Sequence, residues 1–312
     1  MKTELILLAS VFALNVVAAD NPSPFKYDYS VKPGVLHGSA EDDLVPALKY
    51  SASAKYDWAP WKGNGTAFAK VRSEGTLATE ASANSENLFA ELHAGADYFI
   101  GKPAPVTAPP PPPGTFNPDM IPPTPEGRKD FGFVEGTAKL RFETDQAFEN
   151  YNLTYGPHIG YVHRNSAKAL WPLVPLVQVD FQRVEVLQSE AFEKRGIDED
   201  AFWRFGLTAE WNWQAGEQLA RDSHYLRPLG LYGRVSYYQS YDLPKGATRA
   251  DFDESTYYAG GVNYAFTKLN MRYLRSAFIT VAHGRLPPAI REQTMVFVGV
   301  TLGPKLERDE IW

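Results

Sequence analysis

Residues 131–163 read FGFVEGTAKLRFETDQAFENYNLTYGPHIGYVH, and this stretch decides the fold. Small or apolar residues alternate with polar ones on both sides of a short polar break at 144–150. Strict alternation over about ten residues predicts a β-strand with one apolar and one polar face. Strands of this length exceed the roughly five or six residues usual in globular sheets and suit a strand tilted across a bilayer. The stretch is therefore predicted to be a hairpin of two membrane-spanning strands.

The polar faces of the two strands must lie on one side of the sheet, which restricts how the strands pair. A contact between Glu135 and His158 would follow from such a pairing, either as a satisfied structural pair or as a pH-sensitive gate or acid–base pair. Structural ion pairs outnumber catalytic ones, so the structural interpretation is favoured. The facing pairs that we expect are Arg141–Asn152, Lys139–Thr154 and Glu135–His158.

The same alternation recurs along most of the chain and predicts further strands. An even number is expected of barrels of this kind, which favours twelve strands within a range of about 10–14. The fold class is thus all-β, a closed antiparallel up-and-down transmembrane β-barrel. The predicted strands are 25–31, 48–58, 67–77, 88–100, 131–142, 151–162, 173–182, 203–213, 229–238, 258–266, 277–283 and 295–302.

The first 19 residues have the layout of a cleaved secretory signal peptide. Lys2 precedes an apolar run at 5–17, and Val17-Ala18-Ala19 forms a small-residue cleavage site. Residues 20–312 are then one barrel domain. The chain has no cysteine, so an exported protein of this kind must derive its stability from a closed hydrogen-bonded structure rather than from disulfides.

Composition narrows the classes of partner. The net charge of -6 argues against nucleic acid. The 17 Tyr, 18 Phe and 7 Trp residues are enough to supply aromatic girdles at both membrane interfaces. Outer-membrane lipid is therefore the expected surrounding partner.

The signal peptide, the cysteine-free chain, the strands of bilayer length and the aromatic strand ends together resemble bacterial outer-membrane β-barrel proteins. The resemblance is one of architecture, covers nearly all of the chain after residue 19, and identifies no subfamily. It implies a location in the outer membrane of a Gram-negative cell. Trp312 matches the aromatic residue that ends the family's last strand, whereas Arg308 and Glu310 stand where that family has apolar residues.

The predicted strands divide the side chains between lipid and lumen. The alternating apolar run 203–213 carries tryptophans at its ends, as expected of a lipid-facing band between girdles, and its lipid-facing aromatics are Trp203, Trp211 and Trp213. A lumen with charges of both signs suits either a constriction that orients polar solutes or a packed network. The predicted lumen-lining residues are Arg72, Glu91, His93, Glu135, Lys139, Arg141, His158, Arg204, Glu210 and Arg234.

A proline-rich insert at 102–129 interrupts the strand pattern. Its densest part runs from Pro103 to Pro125 and favours polyproline II, which cannot join a sheet ladder. We expect a loop there. The alternative is a docking segment for a protein partner that reads proline-rich sequences.

Candidates for catalysis are few. His163 and Ser166 lie at a strand end where lipid could arrive, but their spacing matches no hydrolase motif and Asn165-Ser166 is ordinary turn chemistry. The six histidines are scattered without a short ligand spacing, so neither a metal nor another cofactor is predicted.

Three functional hypotheses remain. The first is a narrow pore or export channel for small polar or charged solutes. The second is a non-conducting structural or adhesive barrel that binds a partner through its loops or proline-rich segment, and the third is an outer-membrane lipid-modifying enzyme. A soluble exported β-sandwich would have polar outward faces, whereas the alternate positions from Trp203 to Trp213 are apolar.

Overall fold

The structure is a computed structural model. It describes residues 25–38, 44–58, 65–78, 88–100, 131–145, 148–164, 175–194, 196–198, 200–213, 215–216, 223, 225–244, 253–266, 274–288 and 292–302. The predicted signal peptide, the proline-rich insert and Ser166 lie outside these residues.

Alternating sequence gives twelve long strands, and the described residues also include a short helix after the seventh. The strands have 10 to 15 residues, the length needed to cross a bilayer at a tilt. They are β1 (Phe25–Gly38), β2 (Val45–Trp58), β3 (Gly65–Ala78), β4 (Leu88–Ile100), β5 (Phe131–Thr144), β6 (Asn150–Arg164), β7 (Leu176–Ser189), β8 (Phe202–Trp213), β9 (Leu229–Tyr241), β10 (Glu254–Ala265), β11 (Leu274–Gly284) and β12 (Gln293–Leu302); the helix α1 is Glu190–Glu193.

Each strand pairs antiparallel with the next, and β1 pairs with β12 to close the ring. Closure gives every strand two neighbours, so the sheet has no free edge and its backbone polar groups are satisfied within the barrel. The predicted fold, a closed twelve-strand up-and-down barrel, is confirmed. No helix in the described part of the chain is long and apolar enough to cross a membrane.

The barrel is apolar outside and polar inside. Val71, Ile159 and Ile279 are each more than half exposed on the outer surface. Lys139 and Glu143 are buried, and they lie on the opposite face of β5 from the exposed Leu140. This inverted polarity is what a barrel surrounded by lipid requires.

The pairing of β5 with β6 differs from the expected one by two residues. Glu135 faces Gly160, and His158 faces Thr137. The polar faces of β5 and β6 lie on the same side of the sheet, as predicted. The expected facing pairs Arg141–Asn152, Lys139–Thr154 and Glu135–His158 are wrong. The turn explains the shift, because the ladder of β5 and β6 extends to Thr144 and Tyr151 and leaves a longer connection than a tight hairpin would.

Strand β7 lies further along the chain than predicted. It begins at Leu176 rather than at 173 and continues to Ser189, where α1 starts. Pro175 therefore stands just before the strand, where no ladder donor is needed. The Ser189 side chain caps the helix by accepting from the Phe192 backbone N–H.

Two glycines meet where the barrel closes. Gly34 of β1 and Gly299 of β12 are register partners. A Cβ at Gly34 would lie 2.2 Å from the Val298 carbonyl oxygen, and one at Gly299 would lie 2.3 Å from the Pro33 oxygen. The closing seam thus depends on close backbone approach that only glycine permits.

One end of the barrel is partly filled by apolar side chains. We call it the α1 end, because it carries α1 and the connections β1–β2, β9–β10 and β11–β12. A buried cluster there joins residues of six strands and one loop, and we call it the apolar plug. Its members are Leu36, Val45, Ala47, Tyr238, Tyr257, Ala282, Leu286, Met295 and Phe297.

Candidate functional site in the barrel lumen

Ion pairs between distant strands show which side chains occupy the lumen. Arg204 of β8 donates to both carboxylate oxygens of Glu143 of β5, at 2.7 and 3.1 Å. These strands lie three positions apart around the ring, so their side chains can meet only through the interior. Gln182 accepts a further bond from Arg204 and Asn152 donates one to Glu143, so both terminal nitrogens of Arg204 and both oxygens of Glu143 are bonded.

The charges on the wall formed by β4 to β8 are packed against one another. We call this group the packed network; it consists of Glu91, Lys139, Arg141, Glu143, Asp180 and Arg204. Lys139 donates to Asp180 at 3.0 Å and lies 3.7 Å from Glu91, and all three are buried. Burial of so many charges is tolerable only because opposite signs alternate. This half of the lumen is therefore closed to solvent.

A second group of charges crosses the lumen nearby. We call it the charged belt; it consists of Arg72 and Glu74 on β3, Glu210 on β8 and Arg234 on β9. Arg72 pairs with Glu74, and Arg234 lies 3.5 Å from Glu210. Strands β3 and β9 are diametrically opposite in the ring, so Arg72 and Arg234 belong to facing walls of the lumen. The belt therefore spans the width of the barrel.

The belt keeps contact with water, in contrast to the packed network. The Arg72 side chain is 31% exposed and that of Glu210 is 28% exposed, against 4% for Arg204 and 1% for Glu143. Charged groups in the middle of a closed barrel can be exposed only if solvent-accessible space reaches them. Solvent-accessible space thus reaches the belt and does not reach the packed network.

Two histidines and one carboxylate converge on the wall formed by β4, β5 and β6. The rings of His93 and His158 stand edge to face, with centroids 5.4 Å apart. Glu135 Oε1 lies 3.9 Å from His93 Nδ1 and 3.8 Å from His158 Nε2. One ligand atom of each residue lies within 4.8 Å of the others, which makes this the group of described residues able to hold a metal ion. We call it the histidine cluster.

The outer nitrogens of both histidines face further carboxylates. His158 Nδ1 lies 2.9 Å from Asp180 Oδ1 in a hydrogen bond. His93 Nε2 lies 3.2 Å from Glu91 Oε1, but off the alignment that a hydrogen bond needs. His93 Nδ1 lies 3.3 Å from the Thr137 hydroxyl. Asp180 therefore fixes the His158 ring on its outer side, whereas Thr137 bonds the His93 ring through the nitrogen that faces Glu135.

The sequence-predicted residues fall into these three groups. Glu91, Lys139, Arg141 and Arg204 belong to the packed network, and Arg72, Glu210 and Arg234 to the charged belt. Trp203 lies on the opposite face of β8 from Arg204 and stacks on Phe181, with ring centroids 5.0 Å apart. His93, Glu135 and His158 form the histidine cluster.

The candidates for lipid chemistry are not brought to the lumen site. The backbone of His163 lies near the end of β6, away from the α1 end, and its side chain is outside the described residues, as is Ser166. No test of a nucleophile and base at this place follows from the structure.

A small cavity lies at the α1 end beside the apolar plug. It has a volume of about 70 Å³ and is bordered by Phe192, Arg204, Tyr238, Arg285 and Pro287. Such a volume holds roughly two or three waters, at about 30 Å³ each. Space at this end of the lumen is therefore narrow.

Sequence reasoning missed the apolar plug and the convergence of the histidine cluster. The plug residues occupy inward positions to which the sequence analysis assigned no role, such as Met295 and Phe297 of β12. Met295 and Phe297 alternate with Val296 and Val298, so both faces of this strand are apolar. This pattern was the sequence signal for apolar side chains in the lumen.

No family model matches the sequence, and no curated protein matches it. Among solved structures the chain is similar to the NanC porin, with 9% identity over 89% of this chain and 100% of that one, at a TM-score of 0.39. It is similar to outer membrane phospholipase A from Escherichia coli, with 11% identity over 89% and 92% of the two chains, at a TM-score of 0.42. It is also similar to an outer membrane channel from Pseudomonas putida F1, with 9% identity over 92% and 100%, at a TM-score of 0.38.

At these scores the likeness reaches no further than the general form of a barrel, and it says nothing about substrate. The chain's own geometry defines its architecture, with twelve strands of bilayer length in a closed ring, an apolar exterior and a charged interior. The chain is therefore a closed β-barrel with the apolar exterior and charged interior of one that is surrounded by lipid.

Proposed function

We propose that the protein is a narrow pore for small polar or charged solutes. The observation that carries the proposal is the partial exposure of Arg72, Glu210 and Arg234 inside a closed barrel, because water that reaches the belt leaves a path for solutes of similar size. Twelve strands give an interior between that of filled eight-stranded barrels and open sixteen-stranded porins.

The belt is the expected selectivity element. A solute passing it would exchange hydration for contacts with two guanidinium groups and two carboxylates, Glu74 and Glu210. Positive and negative side chains on opposite walls would orient a dipolar or zwitterionic solute and would disfavour a large solute with charges of one sign. The packed network supports the belt, since Glu91 lies 3.7 Å from Arg72 and within ion-pair distance of Lys139.

The apolar plug is the expected gate. It narrows the lumen at the α1 end with side chains that do not bind water, such as Phe297, Met295 and Leu36. A hydrophobic constriction stops the passage of ions when it loses its water, and complete steric occlusion is not required. Conduction would then be intermittent, with openings that depend on movement of the plug.

The proposal is tested by single-channel recording of the refolded barrel in planar bilayers. The wild-type protein is expected to conduct. Replacing both belt arginines (Arg72→Ala, Arg234→Ala) is expected to raise conductance and shift selectivity towards cations, and Glu210→Gln is expected to shift it towards anions.

Arg183→Gln is the matched control, because this arginine stacks on the outer-face Trp203 and is not part of the belt. It should leave selectivity unchanged. A folded wild-type barrel that never conducts would overturn the pore, and selectivity that ignores the belt charges would overturn the role given to the belt.

Burial of the packed network favours a second candidate, a non-conducting structural barrel. Its binding element would be a loop or the segment from Pro103 to Pro125. Loss of partner recovery after deletion of that segment, together with absent conductance, would favour this candidate over the pore.

A further inference from the structure

We propose that the histidine cluster is a binding site for a first-row divalent transition metal, of which Zn²⁺ is the reference ion. His93 Nδ1, His158 Nε2 and Glu135 Oε1 are the ligands. Two imidazoles and a carboxylate form a set that suits zinc and leaves a fourth position for water or a solute. The proposal concerns binding, and it does not depend on whether the barrel conducts.

The protonation of the histidines carries the first step. An ionised carboxylate only accepts hydrogen bonds, so His158 Nδ1, which bonds Asp180, holds the proton of that ring. A proton on His93 Nε2, beside Glu91, leaves Nδ1 to accept from the Thr137 hydroxyl, and a metal ion would replace that contact. The remaining lone pairs are those of His158 Nε2 and His93 Nδ1, which are the atoms that face Glu135. Three acceptors then converge on one place, and a cation supplies the charge that they lack.

The neighbours complete the pattern of a metal site. Histidine ligands usually donate their second N–H to a carboxylate, which fixes the ring and raises its basicity. Asp180 does this for His158, and Glu91 stands ready to do it for His93 after a small rotation of the ring. All four of these side chains are buried, so the ligands are held on rigid strands rather than on loops.

Space for the ion is provided by a missing side chain. Gly160 faces Glu135 in the ladder, and a Cβ there would lie 3.6 Å from His158 Nε2 and 3.5 Å from Glu135 Cβ. A larger residue would cover the ligand nitrogen. Zinc at about 2.0–2.1 Å from tetrahedral ligands needs them about 3.3 Å apart, so the 3.8 and 3.9 Å separations close by side-chain rotation of roughly half an ångström each.

Two lysines set the charge around the ion. Lys139 donates to Asp180 Oδ1, the same oxygen that His158 Nδ1 faces, and Lys70 of β3 is the register partner of His93. Lys70 competes with the metal for the Glu135 carboxylate. Lys70→Met is therefore expected to tighten zinc binding, whereas a cluster without metal function would show no such gain.

The test is calorimetric titration of Zn²⁺ into untagged full-length barrel, refolded in detergent and stripped with a chelator. We expect one zinc per barrel, bound at least about 100-fold more weakly by His158→Ala and about 10- to 100-fold more weakly by Asp180→Asn, as for outer ligand partners elsewhere. His283→Ala is the matched control, because this exposed histidine bonds Thr294 and lies outside the cluster. It should leave the affinity unchanged.

Each variant is checked for folding by its heat-modifiable mobility on gels. If His158→Ala does not fold, Glu135→Gln supplies the same test with the side-chain shape retained. The visible spectrum of Co²⁺ bound to the wild type should show the intense bands of a four-coordinate site. Absence of zinc binding, equal binding after removal of the ligands, or a six-coordinate Co²⁺ spectrum would overturn the site and would leave the pore proposal untouched.

Discussion

At the scale of single residues, the Arg204–Glu143 pair is expected to be the most sensitive ionic contact. Glu143→Gln leaves a guanidinium buried without its counter-charge, which costs about 3–5 kcal/mol in other proteins. We expect a loss in that range of the free energy of unfolding, measured by urea titration of tryptophan fluorescence in lipid vesicles.

Glu185→Gln is the control for that change. Its carboxylate is 39% exposed and lies 3.8 Å from Arg183. Exposed pairs contribute about 0–1 kcal/mol, so the variant should unfold close to the wild type. Equal losses for the two variants would contradict the distinction between buried and exposed charges in this barrel.

Phe297 tests the apolar plug. Its ring contacts Phe278 edge to face at 5.1 Å inside the narrowed α1 end. Phe297→Ala should lengthen open times in single-channel recordings, because a wider and less apolar constriction wets more readily. Val298→Ala is the comparison, since that side chain is exposed on the outer surface of the same strand. Similar open times in the two variants would show that the apolar plug does not gate the barrel.

The histidine cluster shows why single residues were hard to place from sequence. His93, Glu135 and His158 come from three strands, and their contact depends on the register of two ladders. A carboxylate–histidine contact was predicted between Glu135 and His158, and it exists at 3.8 Å, but as a diagonal contact. His93 had no sequence signal linking it to either residue, because 42 positions separate it from Glu135.

At the scale of elements, the seam between β1 and β12 is expected to tolerate an added side chain poorly. Gly34→Ala would place its Cβ against the Val298 oxygen, whereas Gly136→Ala meets nothing within 4 Å. We expect Gly34→Ala to cost roughly 1–3 kcal/mol, as overpacking does, and to lower the folded fraction on heat-modifiability gels. Gly136→Ala should fold as the wild type does. A tolerant Gly34 would show that the seam can open slightly without loss.

Strands were the most predictable elements, because alternation is a local property. The uncertain first strand, 25–31, is real and runs to Gly38. The bounds of β7 were wrong by several residues, since Val184, Val186 and Leu187 alternate poorly and the charged segment behind them suggested a loop. Register was wrong by two residues because it is set by turn geometry, which the sequence leaves open at 144–150.

At the scale of the whole molecule, the proline-rich insert is expected to be dispensable for the barrel. Strands β4 and β5 pair along their full lengths, and Ile100 faces Gly132 where the insert leaves and re-enters. A short turn can therefore join them. Replacing residues 102–129 by a four-residue Asn-Gly-containing turn should leave the thermal midpoint and gel mobility unchanged. A barrel that fails to form would show that the insert takes part in folding.

The pairing of β1 with β12 also bears on how the protein is made. These are the first and last strands in chain order, so the ring cannot close until nearly the whole chain is present. Contacts of such long sequence separation form late, and until then twelve amphipathic segments have unpaired edges. The incomplete ring is therefore expected to aggregate through its unpaired edges, so the refolding yield should fall as the protein concentration rises.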